Sequence, residues 1–220
     1  MSTARAIHRI TDEDELRELI GGGPTDLVMS KIADHVNDVT RRFIEASPYV
    51  CVATARPGTP FGARGGGLDV SPRGDPPGFV RVLDERTLFL PERPGNRIAD
   101  TLTNLLHDDR IALLFLIPGV VDTFRVQGRA VITDDPELLA GSEVEGKLPR
   151  LGLVITIQEA YTQCPKASIR SSLWDPSGFV DRASLPSGGE VLRSLRSDGF
   201  DAETYDRERA GRYARGEGLY

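Results

Sequence analysis

Three arginines, a lysine and an asparagine stand out as groups able to hold an anion. Arg97 closes the run Pro94-Gly95-Asn96-Arg97, and a guanidinium there offers a planar fork of donors suited to phosphate. Read with the apolar spacing that follows it, this run looks like the start of a helix, where free backbone N–H groups also favour anions. Asn96 would then be the N-cap. Arg73 sits in Ser71-Pro72-Arg73-Gly74-Asp75-Pro76, an Arg-Gly-Asp between prolines that reads either as an adhesion tripeptide or as a stiff loop holding a ligand. Further on, Lys166 and Arg170 are four apart, so on a helix they share a face, and Trp174 follows as a stacking surface.

Groups for acid–base or nucleophilic chemistry are scarce by comparison. His8, His35 and His107 are scattered and no metal-binding or nucleophile-elbow motif surrounds them. Cys51 and Cys164 form neither a metal spacing nor a disulfide framework. A chain with anion-holding groups and no evident catalytic set points to chemistry supplied by a cofactor.

The 220 residues carry a net charge of -6 with 39% hydrophobic and 27% charged residues. That balance fits a globular protein and argues against nucleic-acid binding. No apolar run is long enough to cross a bilayer, and the first twenty residues lack the apolar core of a secretion signal. We therefore expect a cytoplasmic protein with no membrane or nucleic-acid partner, a setting in which an adhesion role for Arg73-Gly74-Asp75 has no place.

The elements that must position these groups change character along the chain. Residues 11–20 read as a helix capped by Thr11 and stopped by Gly21-Gly22-Gly23-Pro24. Between Asp26 and Ala46, Ile32, Val36, Val39 and Phe43 recur at helical spacing, which predicts a second helix ended by Ser47-Pro48. Six strand-like runs follow: 49–55, 79–83, 87–90, 110–116, 123–133 and 151–157. Asp84-Glu85-Arg86 makes a hairpin turn, residues 56–69 a glycine- and proline-rich loop, and residues 94–106 a crossing helix with Ile98, Leu102, Leu105 and Leu106 on one face. The expectation is a mainly β protein with flanking helices (α+β), a six-stranded antiparallel barrel. Residues 1–47 would form N-terminal helices packing on it, 48–180 the barrel and 181–220 a charged helical tail.

The succession DVSPRGDPPGFVRVLDERTLFLPERPGNRIADTLTNLL, LLFLIPG and FRVQGRAVIT resembles the FMN-binding split-barrel proteins of the pyridoxamine 5'-phosphate oxidase-like superfamily. In particular it is similar to the bacterial subgroup with D-V-S-P-R-G-D and a later C-P-K-A. The resemblance spans roughly residues 30–180. It implies a homodimer of six-stranded split barrels with two FMN molecules in clefts between subunits. Arg97 matches the arginine that grips the FMN phosphate, and Asn96 stands where a serine often helps. Phe89 and Leu90 match the strand end beside the flavin, and Thr123 falls near a polar flavin-facing position. Ser71 to Val80, including Arg73, Gly74 and Asp75, would lie along the isoalloxazine ring, with Asp75 tethering Arg73 or capping the turn. Lys166, Arg170 and Trp174 would approach a flavin, one bound chiefly by the other subunit.

Ile98 replaces the lysine that often follows the phosphate-binding arginine, and the chain lacks the Arg-x-His-Asp-Arg motif with which pyridoxamine phosphate oxidases end. Both departures argue against a role in vitamin B6 synthesis. The implied function is an FMN-dependent oxidoreductase acting on a small molecule by hydride transfer through flavin N5, with NAD(P)H as an electron source. A flavin carrier without turnover, and a deazaflavin- or haem-binding barrel, remain alternatives.

Overall fold

The computed structural model describes residues 7–58 and 67–220, and it divides into two units, residues 1–32 and 33–220. The first unit holds two short helices, α1 (Glu13–Leu19) and α2 (Asp26–Met29). Asp12, not Thr11, caps α1, its carboxylate accepting from the Glu15 N–H at 2.9 Å. Its acidic first turn, Glu13-Asp14-Glu15, suits the positive end of the helix.

The long helix expected over 26–46 does not form. The chain is helical only to Met29 and again in α3 (Arg41–Ala46). Between them Ala33 pairs with Ala160, exchanging both backbone hydrogen bonds at 3.2 and 2.7 Å. Asn37 then turns the chain, its side-chain oxygen accepting from the N–H groups of Val39 (3.0 Å) and Thr40 (2.9 Å). An asparagine able to satisfy two backbone donors locally competes successfully with the helix, and Val39, assigned by spacing to the buried face, is exposed.

Among the described residues seven strands follow: β1 (Tyr49–Ala55), β2 (Leu68–Gly74), β3 (Arg81–Asp84), β4 (Thr87–Glu92), then after helix α4 (Asp100–Leu105), β5 (Arg110–Leu116) and β6 (Thr123–Thr133), and after α5 (Pro136–Ala140), β7 (Leu151–Gln163). They form one antiparallel sheet in the order β2-β1-β5-β6-β7-β4-β3. Strands near opposite ends of that order share one core: Val50 and Val52 of β1 cluster with Leu88 and Leu90 of β4, Phe115 of β5 and Ile155 of β7. A sheet whose distant strands bury side chains together must curl, and this one is a split β-barrel.

The expected barrel is thus present with one strand more than the six anticipated. The addition is β2, which contains Pro72 and ends at Gly74. Proline lacks the ladder donor, so it is tolerated here because β2 has a single neighbour, β1. Of the glycine-rich stretch before it, residues 59–66 lie outside the described residues.

In β1 and β5, alternate residues point inward: Val50, Val52 and Thr54, and Ile111, Leu113 and Phe115. Unusually for a sheet with one core face, the outward residues Cys51, Ala53, Ala112, Leu114 and Leu116 are also apolar and half-buried. They line a cavity of about 670 Å³ with Thr123, Arg125 and Cys164.

Helix α4 begins later than its spacing predicts. Ile98 and Leu106 are exposed, while Thr101, Asn104 and Leu105 are buried. Asn104 ties two elements together, donating to Thr54 Oγ1 at 3.1 Å and accepting from the Gly67 N–H at 2.8 Å. Beyond β7 lie α6 (Lys166–Arg170), α7 (Gly188–Leu195) and α8 (Ala202–Ala214), the last being the charged tail helix expected. Ser187 and Glu190 form a reciprocal capping box at the start of α7. Among the described residues no helix is long and apolar enough to cross a membrane.

Candidate functional site

The edge strand β2, the end of β4 and the loop leading into α4 enclose a cleft of about 580 Å³, within the range of small-molecule sites. Alternation along β2 turns Asp69, Ser71 and Arg73 toward it. Ser71 Oγ donates to Asp69 at 2.9 Å and Thr101 Oγ1 donates to the same carboxylate at 2.6 Å. Arg73 spans the strand gap: its Nε donates to Glu92 Oε2 at 2.9 Å and its Nη2 to Thr101 Oγ1 at 3.2 Å. Both members of the Arg73–Glu92 pair are only 17% exposed, so this ion pair is screened far less than a surface one.

Asp75 does not tether Arg73. Its side chain, 1% exposed, accepts instead from Arg93 Nε at 2.6 Å and from the Tyr220 hydroxyl at 2.9 Å. A buried aspartate cannot serve as an adhesion ligand, which closes that reading of Arg-Gly-Asp. Arg93 also donates to the Ser142 carbonyl at 2.8 Å and lies over the Tyr220 ring, 5.1 Å from its centroid. The hydrogen bond to Asp75, with burial added, pushes the Tyr220 phenol above its ordinary pKa of about 10.

The third arginine is different. Arg97 lines the cleft yet makes no side-chain hydrogen bond or ion pair among the described residues. Its backbone is left-handed, φ 63°, as is that of Ala99, φ 62°, conformations that cost a non-glycine residue roughly 1 kcal/mol or more. Asn96 supports the kink, its side-chain oxygen accepting from the Ile98 N–H at 3.0 Å. The helix terminus read at Pro94-Gly95-Asn96-Arg97 is therefore a kinked loop. Helix α4 starts at Asp100 and is six residues long, so the anion-holding capacity here is that of the Arg97 guanidinium, without a helix dipole behind it.

Ser71, Arg73, Gly74, Asn96 and Arg97 are thus brought together in one cleft. Phe89, Leu90 and Val80 are at most 1% exposed, so only their backbone is available to a ligand. Thr123 opens into the other cavity, the one over the outer faces of β1 and β5. Lys166 and Arg170 are exposed on the one-and-a-half turns of α6, and Trp174 is half-buried, its indole N–H donating to the Val120 carbonyl at 2.8 Å. None of these three lines the cleft. Spacing alone did not single out Asp69, Glu92, Arg93, Thr101 or Tyr220. Glu92 and Arg93 had a sequence signal in the charged run Glu92-Arg93-Pro94-Gly95-Asn96-Arg97, but Tyr220 had none.

A family model for pyridoxamine 5'-phosphate oxidase matches residues 36–164, more than half the chain and all of the cleft lining except Gly218 and Leu219. The chain belongs to the pyridoxamine 5'-phosphate oxidase family. Solved structures with a similar fold include HupZ of Group A Streptococcus (15% identity, 58% of this chain and 93% of that one, TM-score 0.45). General stress protein 26 of Bacillus anthracis is another (13%, 56% and 89%, TM-score 0.41). So is the FAD binding protein of Mycobacterium smegmatis (12%, 60% and 97%, TM-score 0.38). No curated protein matches the sequence.

The donor set of the cleft fits a phosphate-bearing flavin. It pairs an uncommitted guanidinium for a phosphate with the backbone of a proline-stiffened edge strand and space at Gly95, where a Cβ would meet nothing within 4 Å. The remaining cations, Arg73 and Arg93, already have carboxylate partners and serve as wall.

Proposed function

We propose that this family member binds FMN in the cleft between β2 and the Pro94–Ala99 loop and uses it as an oxidoreductase on a small molecule. The observation that carries the reading is Arg97, unpaired among the described residues in a cleft whose other two arginines are paired. Arg97 would hold the phosphate, with Asn96 maintaining the loop that aims it. The backbone of β2 from Ser71 to Gly74 would face the polar edge of the ring, its proline limiting the entropy lost on binding. When bound, the flavin supplies hydride transfer through N5, with NAD(P)H as donor. The chain's own part is to bind, orient and exclude water.

The cofactor would be completed by a second copy of the chain. The apolar outer face of β1 and β5 is suited to a two-fold partner, and it would carry Thr123 and the α6 residues Lys166 and Arg170, with Trp174, toward the partner's flavin.

Purified protein, or protein given FMN, is expected to show the twin visible bands of a bound flavin. Arg97→Ala should weaken FMN binding by roughly tenfold to a hundredfold, the loss of a charge-assisted contact, with unchanged thermal stability because Arg97 has no side-chain partner among the described residues. Fluorescence titration of both proteins checks this; equal affinities would refute the assignment. Rapid bleaching on mixing with NADH or NADPH under anaerobic conditions marks an enzyme, and inertness marks a flavin carrier. A Soret band, or a deazaflavin released on denaturation, would replace FMN with that ligand.

A further inference from the structure

The segment after α8 is the one part of the cleft wall that lies outside the family match. Helix α8 ends at Ala214, and Gly216 and Gly218 both take left-handed conformations, φ 67° and 78°, which reverse the chain without the strain a side chain would add. Gly218 and Leu219 then line the same cleft as Arg97, and Tyr220 reaches the far side of the barrel's sequence to bond Asp75 at 2.9 Å beneath Arg93. Leu219 remains half-exposed on the cleft wall, and the segment is tied to β2's end by Tyr220. Two left-handed glycines, with Glu217 between them paired to Arg215 at 2.6 Å, and then the side chain of Tyr220 on Asp75 have the form of a hinge and a latch.

We propose that residues 216–220 are a strap over the cleft, latched by Tyr220 to the Asp75–Arg93 pair, which opens to admit the phosphate-bearing ligand and closes to retain it. The inference rests on the reading of the cleft as the flavin site. Tyr220 is a positioning residue in it: it meets the wall, and through the wall it sets how long the ligand stays.

The test uses the full chain with Tyr220→Ala and Tyr220→Phe. FMN release, followed by the fluorescence of the freed flavin after dilution, is expected to quicken roughly tenfold in Tyr220→Ala, the order of effect of losing a hydrogen bond to a charged group. Tyr220→Phe, which keeps the ring under Arg93, should fall between the two. Trypsin cleavage at the Arg215–Gly216 bond reports the strap itself: FMN should slow it in the wild type and protect less in Tyr220→Ala. Wild-type release rates in Tyr220→Ala, or cleavage indifferent to FMN in the wild type, would overturn the strap. If Arg97→Ala loses affinity while Tyr220→Ala behaves as wild type, the strap fails and the flavin site stands. If the wild type takes up no FMN at all, both fall.

Discussion

Asp75→Ala is expected to destabilise the protein by about 3–5 kcal/mol, the range for breaking a buried ion pair by removing one member. The carboxylate is almost wholly buried, and its removal leaves the Arg93 guanidinium, 13% exposed, with the Ser142 carbonyl as its remaining hydrogen-bond acceptor. The cost arises less from the attraction lost than from a charge left without a counter-charge away from water. Asp75→Asn keeps an acceptor oxygen and should recover part of the loss, whereas Asp75→Ala has no such oxygen. Urea unfolding of the three proteins measures the order; an Asp75→Ala variant within 1 kcal/mol of wild type would show that water reaches Arg93 freely. The variant should also free the Tyr220 hydroxyl, so its stability and its strap are lost together, unlike Tyr220→Ala, where the ion pair survives.

Gly128→Ala should cost about 3 kcal/mol, toward the upper end for a group forced into a packed region. Gly128 sits at the bulge where β6 slips register against β7, between the pairs Gln127–Glu159 and Gly128–Ile157. A Cβ there would collide with the Thr156 carbonyl. Because the obstacle is backbone, no side-chain rotation relieves it; β7 itself must move, and with it the Ile155 and Ile157 side chains in the core. For a domain of this size that loss lowers Tm by roughly 10 °C. Calorimetry decides, and a Tm within 2 °C of wild type would mean that the bulge relaxes at little cost.

What could be read from the sequence follows from which forces are local. β1, β5 and β6 have the bounds expected because their apolar alternation or density exceeds any competing signal. β2 escaped because Pro72 and Gly74 look like loop residues, and a strand at the sheet's edge needs only one side of its ladder. The helix expected over 26–46 is lost after Met29, where Ala33 takes its backbone partners from Ala160 and Asn37 then satisfies the donors of Val39 and Thr40. In the cleft, residue type identified Arg73 and Arg97 as candidates, but nothing in their spacing distinguishes the arginine matched by Glu92 from the one that has no carboxylate among the described residues. That difference is made by β2 crossing near the end of β4, strands that are not neighbours in the sheet. The contribution of Tyr220, 145 residues from Asp75, belongs to the same class of long-range juxtaposition.

The strand order carries a kinetic consequence. β5, β6 and β7 are sequential neighbours in the sheet and can assemble as a meander, and β1–β2 and β3–β4 as separate hairpins. Joining them is another matter: Tyr49 must find Leu116, and Glu92 must find Leu151. Each of these closures spends chain entropy before any core contact repays it. The cleft draws β2 from one hairpin and the end of β4 from the other, so it can form only after both have docked on the meander, which makes ligand-binding competence a late event in folding.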